Sequence, residues 1–451
     1  MKLNNDYLKV ELKVEESKWK LTDEDLFRLV IRKNKKRHFL FASTVIGKYI
    51  AVHPYRSLLT SRLLAALFCE EVEGNLPDDT RYIMEIWKSS TDQESFNEIK
   101  NNFYELKRKT LFIGFAETAT GLGHGVFSCF KTNAAYIHTT RAHLIDEQAD
   151  LTFEEIHSHA VGHRCFIKEI SLEDYERVVL IDDEITTGNT ALNLIQAIYE
   201  KAQIKEFVVL SLLDWRSRED DIKFEALEEK LKIRIQCVSL LSGLIETKLL
   251  KEMDEIVLNN KEVLWEQSTK DFDTNKQKSY YDTIDLELDQ KVKLKTLSED
   301  GKIRELKYMK NATGRFGLTS EMNLKFEVKI KQIGEKLAKK RQYGKSLCLG
   351  SEEFIYIPNL ISAYMGEGIW FACSARSPII TLQEETYALK DALCFKSPED
   401  EKLSIYLYNI KQQGYEEIFW FLEREVGENF KCAMAKALIQ NGIKAVHFVV
   451  C

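Results

Sequence analysis

One short segment of the chain, residues 177–201, restricts its fold more than any other. Arg177–Asp183 is an apolar, β-branched run that ends in two acids, and a Thr-Thr-Gly turn follows it. Apolar residues then recur at helical spacing over Asn189–Lys201. A buried strand that passes through a glycine turn into a helix is the repeating unit of a parallel sheet. The segment therefore predicts an α/β fold with helices on both faces of a parallel sheet.

The rest of the sequence extends this pattern, and the chain divides into three parts. Strand-like runs at 111–116, 206–215 and 233–243 alternate with helical patterns, which predicts one α/β domain over residues 25–245. Residues 246–300 are rich in Lys, Glu and Asp, and we predict a polar, mostly helical connector there. We predict a second, smaller α/β domain over 301–451. Its expected strands and helix are at 352–358, 368–374, 416–422 and 428–442.

Composition narrows the functional classes. A length of 451 residues is typical of two or three domains, and a net charge of −7 argues against a general nucleic-acid or anionic-membrane binder. The nine cysteines form no Cys-x-x-Cys pair, and the N-terminus lacks the apolar core of a signal peptide. No run approaches the roughly 20 apolar residues of a membrane span. We therefore expect a cytoplasmic protein with reduced thiols and no membrane or nucleic-acid partner.

The acid pair and the turn after it form a candidate ligand site. Asp182 and Asp183 stand at the carboxyl end of a strand, where open α/β sheets bind ligands, and ribose hydroxyls would be suitable donors to them. The amides and hydroxyls of Thr186–Thr190 can surround a monophosphate at a helix N-terminus. Together they fit a phosphoribosyl group. A turn with solvated acids is the alternative, while a Walker loop lacks its Gly-x-x-x-x-Gly-Lys-Ser/Thr sequence here.

A glycine-dense segment, Gly114–Gly125, follows the strand-like run at 111–116. Small residues allow a close approach of backbone amides to a ligand. A dinucleotide-binding fingerprint is an alternative, although the final spacing of Gly121, Gly123 and Gly125 does not match Gly-x-Gly-x-x-Gly. A glycine turn without a ligand also remains open.

The ordered unit of strand, acid pair and Thr-Thr-Gly-x-Thr resembles the phosphoribosyl-pyrophosphate (PRPP) loop of type I phosphoribosyltransferases. The resemblance implies that the acid pair holds the ribose and that the following loop binds the 5′-phosphate. It also implies that a loop after the 111–116 strand binds pyrophosphate through its amides. The implied 5′-phosphate residues are Thr186, Thr187, Gly188, Asn189 and Thr190. The implied pyrophosphate residues are Ala116, Glu117, Thr118, Ala119, Thr120 and Gly121.

The interval between these two loops commonly holds a mobile loop in type I transferases. Arg141 could neutralise the departing pyrophosphate. His157 and His159 are further catalytic candidates, and Glu155 and His163 are candidates for the acceptor side. The His-x-His-x-x-x-His spacing also fits a zinc hypothesis, without a cysteine at matching local spacing. Mg²⁺ bound with PRPP is the preferred cofactor, with no direct protein ligand beyond Asp182 and Asp183.

Three further sequence segments resemble those of one bacterial phosphoribosyltransferase family, which is associated with tellurite-resistance and stress-response gene clusters. They are Phe41–Ile50, Glu117–His124 and Ser211–Arg216. In this family a C-terminal domain named for a Thr-Arg-Ser-Pro (TRSP) motif follows an orotate phosphoribosyltransferase-like domain. Ala375-Arg-Ser-Pro stands at the matching place here, so the threonine is replaced. The resemblance implies a type I transferase sheet domain plus a smaller α/β domain.

Two sets of residues in this narrower match are candidates for ligand contact. Ser43, Thr44 and Lys48 are placed on the acceptor or hood side of the cleft, although a surface role for the lysine is equally compatible. Arg376 and Ser377 are candidates for a small-molecule or phosphate site in the C-terminal domain, with a structural turn or an interdomain contact as the alternative.

The expected activity is that of a glycosyltransferase of the pentosyltransferase class. It would transfer 5-phosphoribosyl from PRPP to a base-like acceptor, release pyrophosphate and contribute to a modified ribonucleoside. A PRPP- or nucleotide-sensing regulator without transfer is the main alternative, and a protein-interaction role for the C-terminal domain is another. Neither a homodimer nor association with other enzymes of the same pathway is decided by the sequence, and the acceptor is not readable from it.

Overall fold

The computed structural model describes residues 2–4, 8–34, 37–89, 93–153, 162–249, 263–264, 280–398, 400 and 402–451. The helices are α1 (Asp23–Leu26), α2 (Pro54–Phe68), α3 (Thr80–Lys88), α4 (Gln93–Lys100), α5 (Ala119–Phe127), α6 (Asn189–Ala202), α7 (Arg218–Leu231), α8 (Ser320–Ala338), α9 (Tyr356–Ala363) and α10 (Glu428–Gln440). Within the described residues, none of these helices is both long and apolar enough to cross a membrane.

The strands are short except for β2, β10, β11 and β12. In chain order they are β1 (Lys2–Asn4), β2 (Leu8–Ser17), β3 (Phe27–Ile31), β4 (Phe39–Ser43), β5 (Thr110–Gly114), β6 (Ala134–His138), β7 (His143–Leu144), β8 (Leu151–Phe153), β9 (His163–Cys165), β10 (Arg177–Ile185), β11 (Glu206–Asp214), β12 (Arg234–Leu249), β13 (Val263–Leu264), β14 (Asp282–Asp285), β15 (Lys291–Leu297), β16 (Ile303–Met309), β17 (Leu318–Thr319), β18 (Ser346–Gly350), β19 (Ile369–Cys373), β20 (Ala392–Lys396), β21 (Ser404–Tyr408), β22 (Glu417–Leu422) and β23 (Ala445–Val450).

The predicted α/β fold is confirmed by a large sheet with the order β1-β2-β12-β11-β10-β5-β6-β17. Its five central strands, from β12 to β6, are parallel, while β2 and β17 pair with them antiparallel at the two sides. Both faces of the central strands are covered, so Val178–Ile181 is a continuous buried apolar run rather than an alternating one.

The strand order reverses direction between β5 and β10. The strand that follows β5 in sequence, β6, pairs on one side of it, whereas β10 and β11 continue on the other side. In open α/β sheets a ligand crevice forms at such a reversal, at the carboxyl ends of the strands. The loop after β5 and the acidic end of β10 therefore lie on either side of this crevice.

The glycines of α5 allow close packing of this helix. A Cβ atom at Gly123 would lie 2.9 Å from the Cα of Gly114, and one at Gly121 would lie 2.5 Å from Cγ2 of Ile355 in the C-terminal part. Gly125 faces the Ser61 side chain of α2 in the same way. Packing against three neighbours accounts for this spacing without a dinucleotide ligand.

A second parallel sheet lies in the C-terminal part, with the order β14-β23-β22-β18-β19. The strands predicted at 368–374 and 416–422 are present as β19 and β22, and the helix predicted at 428–442 is α10. This sheet also reverses its order, between β18 and β22. The smaller α/β unit expected from the sequence is therefore present, with a ligand crevice position of its own.

The prediction of a strand at 352–358 is wrong. Glu352 has a φ of +52°, the chain turns with the Phe354 amide donating to the Ser351 carbonyl at 2.8 Å, and α9 begins at Tyr356. Every residue of α9 is buried. A short helix that is covered on all sides has a continuous apolar sequence and resembles a buried strand.

The connector predicted to be mostly helical is extended where the structure describes it. Strand β12 continues to Leu249, β14 joins the C-terminal sheet, and β15 pairs with β16 and β7. Residues 291–297 alternate Lys with Val, Leu and Thr, which is a period-2 strand pattern. Their high Lys content favoured the helical prediction. The domain boundaries at 245 and 300 remain predictions.

The N-terminal and C-terminal parts share one hydrophobic core. Helix α9 contacts α2, α5 and α8, and the ring of Tyr356 stacks on His124 with centroids 3.9 Å apart. Strand β17 adds an edge to the large sheet. The loops of the C-terminal sheet are consequently held against the loops of the large sheet.

Candidate active site

Three consecutive carboxylates stand at the end of β10. The Asp183 amide donates to the Asp182 carboxylate at 2.9 Å, and Glu184 forms an ion pair with Arg37. Burial and the neighbouring Asp183 charge raise the pKa of Asp182 well above its usual range. Burial also raises the pKa of Glu184, although Arg37 acts against it. Such a concentration of acid in a crevice favours ligands that donate hydrogen bonds or carry a cation.

The Thr-Thr-Gly turn leads from these acids into α6. Gly188 has a φ of +71°, in the left-handed region, and a Cβ atom there would lie 2.5 Å from the Phe224 ring. The Asn189 side-chain amide donates to the Thr187 hydroxyl at 3.0 Å. Among the described residues no side chain caps the N-terminus of α6, and all five residues from Thr186 to Thr190 are only half-buried. The loop amides and hydroxyls can therefore receive an anion from the crevice.

The loop after β5 carries one carboxylate among three cations. Glu117 Oε2 lies 3.8 Å from Lys48, and its Oε1 lies 3.5 Å from Arg141 and 3.4 Å from Arg376. Burial would raise the pKa of Glu117, but Lys48, Arg376 and Arg141 together lower it. Lys48 also donates a hydrogen bond to the Thr118 hydroxyl. The peptide bond between Ala116 and Glu117 is cis.

The loop itself, Ala116–Gly121, contains no basic residue. Its cations come from three separate places: the loop after β4, the loop after β6 and the C-terminal part of the chain. A cluster of cations around loop amides at a sheet crevice is suited to a polyanionic group such as pyrophosphate.

Glu352 and Glu353, next to each other after β18, connect the C-terminal part to this cluster. Glu352 accepts a hydrogen bond from Arg376 at 3.0 Å. Glu353 accepts from the Arg141 amide at 3.1 Å and from Arg315 at 3.0 Å. Burial would raise the pKa of Glu353, but chiefly Arg315 lowers it to about 2. The carboxylates thus fix both arginines that face Glu117.

The two C-terminal candidates differ in their placement. The structure brings Arg376 to the pyrophosphate-type loop rather than to a separate site, as its contact with Glu117 shows. The backbone carbonyl of Ser377 accepts a hydrogen bond from the Tyr408 hydroxyl at 2.9 Å. Sequence reasoning missed Arg315, because it lies in no local motif and acts only through tertiary contacts.

The structure places the candidates for the acceptor side of the cleft in different environments. The Ser43 and Thr44 hydroxyls donate to the carbonyls of Leu26 and Asp25, at 3.3 and 2.7 Å, and connect the end of β4 to the end of α1. Lys48 reaches the Glu117 cluster instead. His163 is buried on β9, with its Nδ1 3.1 Å from the Thr139 hydroxyl. The remaining candidates of this interval, Glu155, His157 and His159, lie outside the described residues.

The crevice residues fit a magnesium ion only in part. Among the residues that the structure describes, no group of three or more His, Cys, Asp or Glu side chains is arranged to hold a metal. Asp182 and Asp183 supply hard oxygen donors, and the raised pKa of Asp182 reflects the acid crowding that a cation would relieve. This donor set suits Mg²⁺ that is bound by one or two carboxylates and otherwise by ligand oxygens.

The chain is similar to several solved structures of adenine phosphoribosyltransferases. The match to the Rhodothermus marinus DSM 4252 structure has 14% identity and a TM-score of 0.25, and covers 49% of this chain and 95% of that chain. The match to the Trypanosoma brucei structure, which is in complex with AMP, pyrophosphate and ribose-5-phosphate, has 15% identity and a TM-score of 0.26. It covers 49% of this chain and 78% of that chain. The match to the Leishmania tarentolae structure has 14% identity and a TM-score of 0.27, and covers 51% of this chain and 94% of that chain. No curated protein sequence matches the chain.

Two family models match separate parts of the chain. Residues 26–244 match the family described as phosphoribosyl transferase, and this match contains both crevice loops. Residues 312–440 match the TRSP domain that lies C-terminal to that transferase, and this match contains Arg376. The chain is thus a phosphoribosyltransferase and belongs to the family in which a TRSP domain follows the transferase domain.

Proposed function

We propose that this enzyme transfers 5-phosphoribosyl from PRPP to a base-like acceptor, with release of pyrophosphate, to make a modified ribonucleoside linked to stress response. The observation that carries the proposal is the pairing of two loops at the β5/β10 crevice. One loop joins an acid pair to a hydroxyl-rich turn, and the other places three cations around Glu117.

The acid pair would hold the ribose. The carboxylates of Asp182 and Asp183 accept hydrogen bonds from the ribose hydroxyls and stabilise the positive charge that develops at C1′. The Thr186–Thr190 loop would hold the 5′-phosphate through its amides and hydroxyls. Mg²⁺, when bound with PRPP, neutralises pyrophosphate charge, and Asp182 and Asp183 are the residues that would hold it.

The leaving group would lie on the other side of the crevice. The C1′–oxygen bond breaks with its electron pair passing to pyrophosphate, the acceptor nitrogen forms the new bond to C1′, and the proton of that nitrogen passes to the departing pyrophosphate. Lys48, Arg141 and Arg376, whose positive charges Glu117 neutralises in the free enzyme, would then bind the pyrophosphate. We propose His157, His159, Glu155 and His163 as further groups of the loop that covers this centre, and Ser43 and Thr44 as supports of the acceptor side.

We also propose that the protein works in the cytoplasm, since all nine cysteines are free thiols. An acceptor of the nucleobase class, PRPP and other enzymes of the same pathway are the partners that this function would require. The proposal leaves the acceptor itself to be identified by experiment.

Incubation of the enzyme with PRPP, Mg²⁺ and a metabolite extract, followed by mass spectrometry, tests this function. We expect a new ribosyl-phosphate product and an equal amount of pyrophosphate. Substitution of Asp182 and Asp183 by Asn should reduce both at least about 100-fold, because the charge that stabilises C1′ is lost. Binding of PRPP without release of pyrophosphate, across a broad panel of acceptors, would instead favour a sensing regulator.

A further inference from the structure

A cavity of about 320 Å³ lies between the transferase loops and the C-terminal sheet. It stands at the second reversal of strand order, where Ser351 follows β18 and Glu423 follows β22. This volume is within the range of small-molecule sites, and the position is where open parallel sheets bind ligands. The cavity thus has the place and the size of a ligand site of the C-terminal domain.

The cavity is distinct from the PRPP crevice. Of the described residues that line it, none belongs to the acid pair, the Thr186–Thr190 loop or the Ala116–Gly121 loop. It adjoins the crevice only through Arg141 and Arg376, which line the cavity and also contact Glu117. A ligand here would therefore lie beside the pyrophosphate end of the crevice rather than in it.

One wall of the cavity is apolar and aromatic. Phe354, Ile405, Trp420, Leu422 and Phe430 line it. The Trp420 ring is held by a hydrogen bond from its Nε1 to the Ser351 hydroxyl at 2.9 Å. A rigid apolar wall of this kind suits the faces of a flat ring.

Two buried polar atoms along the cavity have no hydrogen-bond partner among the residues that the structure describes. These are Glu423 Oε1 and Arg315 Nε, on side chains that are 5% and 2% exposed, while Glu423 Oε2 accepts from Arg315 at 2.9 Å. An unsatisfied buried polar atom is unfavourable, so both favour a ligand that completes their hydrogen bonds. The acceptor oxygen of Glu423 requires a ligand N–H or O–H group.

Basic side chains also line the cavity. The Arg164 guanidinium donates to the Gly162 carbonyl at 3.1 Å, and within the described part of the chain no carboxylate forms an ion pair with it. His143 lies near it, and Arg424, which lies 3.9 Å from a Glu352 oxygen and 3.7 Å from a Glu423 oxygen, lines the same cavity. Helix α10, which begins at Glu428 beside this cavity, has no side-chain cap at its N-terminus. These groups together suit a phosphate.

We propose that this cavity binds a ribonucleoside 5′-monophosphate. The base would lie on the wall that contains Trp420, a base or ribose donor would bind Glu423, and the phosphate would face Arg164 and Arg424. Compounds of this class also result from the proposed transfer, but their binding here does not require that transfer. The TRSP domain would then hold a nucleotide next to the transferase centre.

Isothermal titration calorimetry of the full chain with AMP and with UMP tests this site. Because the PRPP crevice can also accept a 5′-phosphate, the double variant Thr187→Val, Thr190→Val is used to weaken that site alone. Two variants address the cavity: Leu403→Trp, which fills it from a half-buried position, and Arg164→Gln, which removes the positive charge of the guanidinium. Adenosine and ribose 5-phosphate serve as the partial ligands.

We expect the Thr187→Val, Thr190→Val protein to bind at least one of the two nucleotides at one site. Adding Leu403→Trp or Arg164→Gln to it should weaken that site at least about tenfold. Adenosine and ribose 5-phosphate should each bind at least about tenfold more weakly than the nucleotide. Loss of all nucleotide binding in the threonine variant, or unchanged binding after both cavity substitutions, would overturn the proposal. Loss of transfer with retained cavity binding would overturn only the proposed function.

Discussion

Glu117 is the residue on which the cations of the transferase centre converge. In the free enzyme its carboxylate contacts Lys48, Arg141 and Arg376, and their charges lower its pKa against the effect of burial. A bound pyrophosphoryl group would compete with Glu117 for the same three cations. The centre is therefore preorganised for a polyanion in a chain whose net charge is −7.

Substitution of Arg376 tests whether the C-terminal domain takes part in this centre. We expect Arg376→Gln to raise the KM for PRPP about 10- to 100-fold, because a charge-assisted hydrogen bond contributes about 1.5–3 kcal/mol. Arg376→Lys should raise the KM less than Arg376→Gln does, since lysine keeps the positive charge but lacks the planar fork of the guanidinium. Steady-state kinetics at varied PRPP concentration measure the KM of each variant. Lys411→Gln, at an exposed position of the same domain, is the control. An unchanged KM in Arg376→Gln would show that the contact with Glu117 is structural only.

At the scale of elements, local patterns were predictable and tertiary ones were not. The strand, acid pair and turn of residues 177–190 form a local unit, so their structure followed from the sequence. Helix α9 was mistaken for a strand because it is buried on every side, and β15 was missed because Lys-rich sequence favours a helix. Arg376 could not be assigned to the Ala116–Gly121 loop, since the two are more than 250 residues apart in sequence.

Helix α5 should not tolerate a side chain at Gly121. A Cβ atom there would lie 2.5 Å from Cγ2 of Ile355, so Gly121→Ala should lower the free energy of unfolding by about 1–3 kcal/mol. In combination with Ile355→Ala the loss should be smaller than the sum of the two single losses, because the clash is relieved. Urea denaturation of the four proteins measures this coupling. Additive losses would mean that the two residues do not press on each other.

The C-terminal sheet should lose stability as the pH rises. His447 on β23 forms ion pairs with Asp282 on β14 and with Glu417 on β22, which are the two neighbouring strands. Burial would lower the pKa of His447, but its hydrogen bonds to Asp282 and Glu417 raise it to about 9. This pKa is above the unfolded value of roughly 6.5, so the stabilisation is complete below that pH and is lost as the pH rises towards 9.

The difference in Tm between wild type and His447→Gln isolates this effect from other titrating groups. We expect the wild type to be more stable than the variant at pH 6, and this advantage to shrink by pH 9.5. A difference in Tm that stays constant over this range would show that His447 is not charged in the folded protein.

At the scale of the whole molecule, the two matched domains form a continuous structure. The core contains residues of both, β17 completes the large sheet, and Glu353 fixes the loop that carries Arg141. The C-terminal domain therefore positions transferase residues as well as holding the proposed nucleotide cavity.

A truncated protein that ends at residue 249 should consequently be less stable and inactive. It would expose the core surface that α9 covers and would lack Arg376. We expect a lower Tm by calorimetry than for the full chain, and loss of at least about 99% of pyrophosphate release, consistent with the removal of electrostatic stabilisation. A stable truncated protein with full activity would show that the C-terminal domain is an independent module.

The proposed activity of the β5/β10 crevice is the transfer of phosphoribosyl from PRPP to an acceptor. Its most direct test uses PRPP labelled in the ribose, with simultaneous measurement of labelled product and pyrophosphate for the wild type and for Asp183→Asn. We expect one pyrophosphate for each labelled product in the wild type, and neither in the variant above background. Binding of PRPP with no labelled product from any acceptor, or equal turnover by Asp183→Asn, would contradict the proposal.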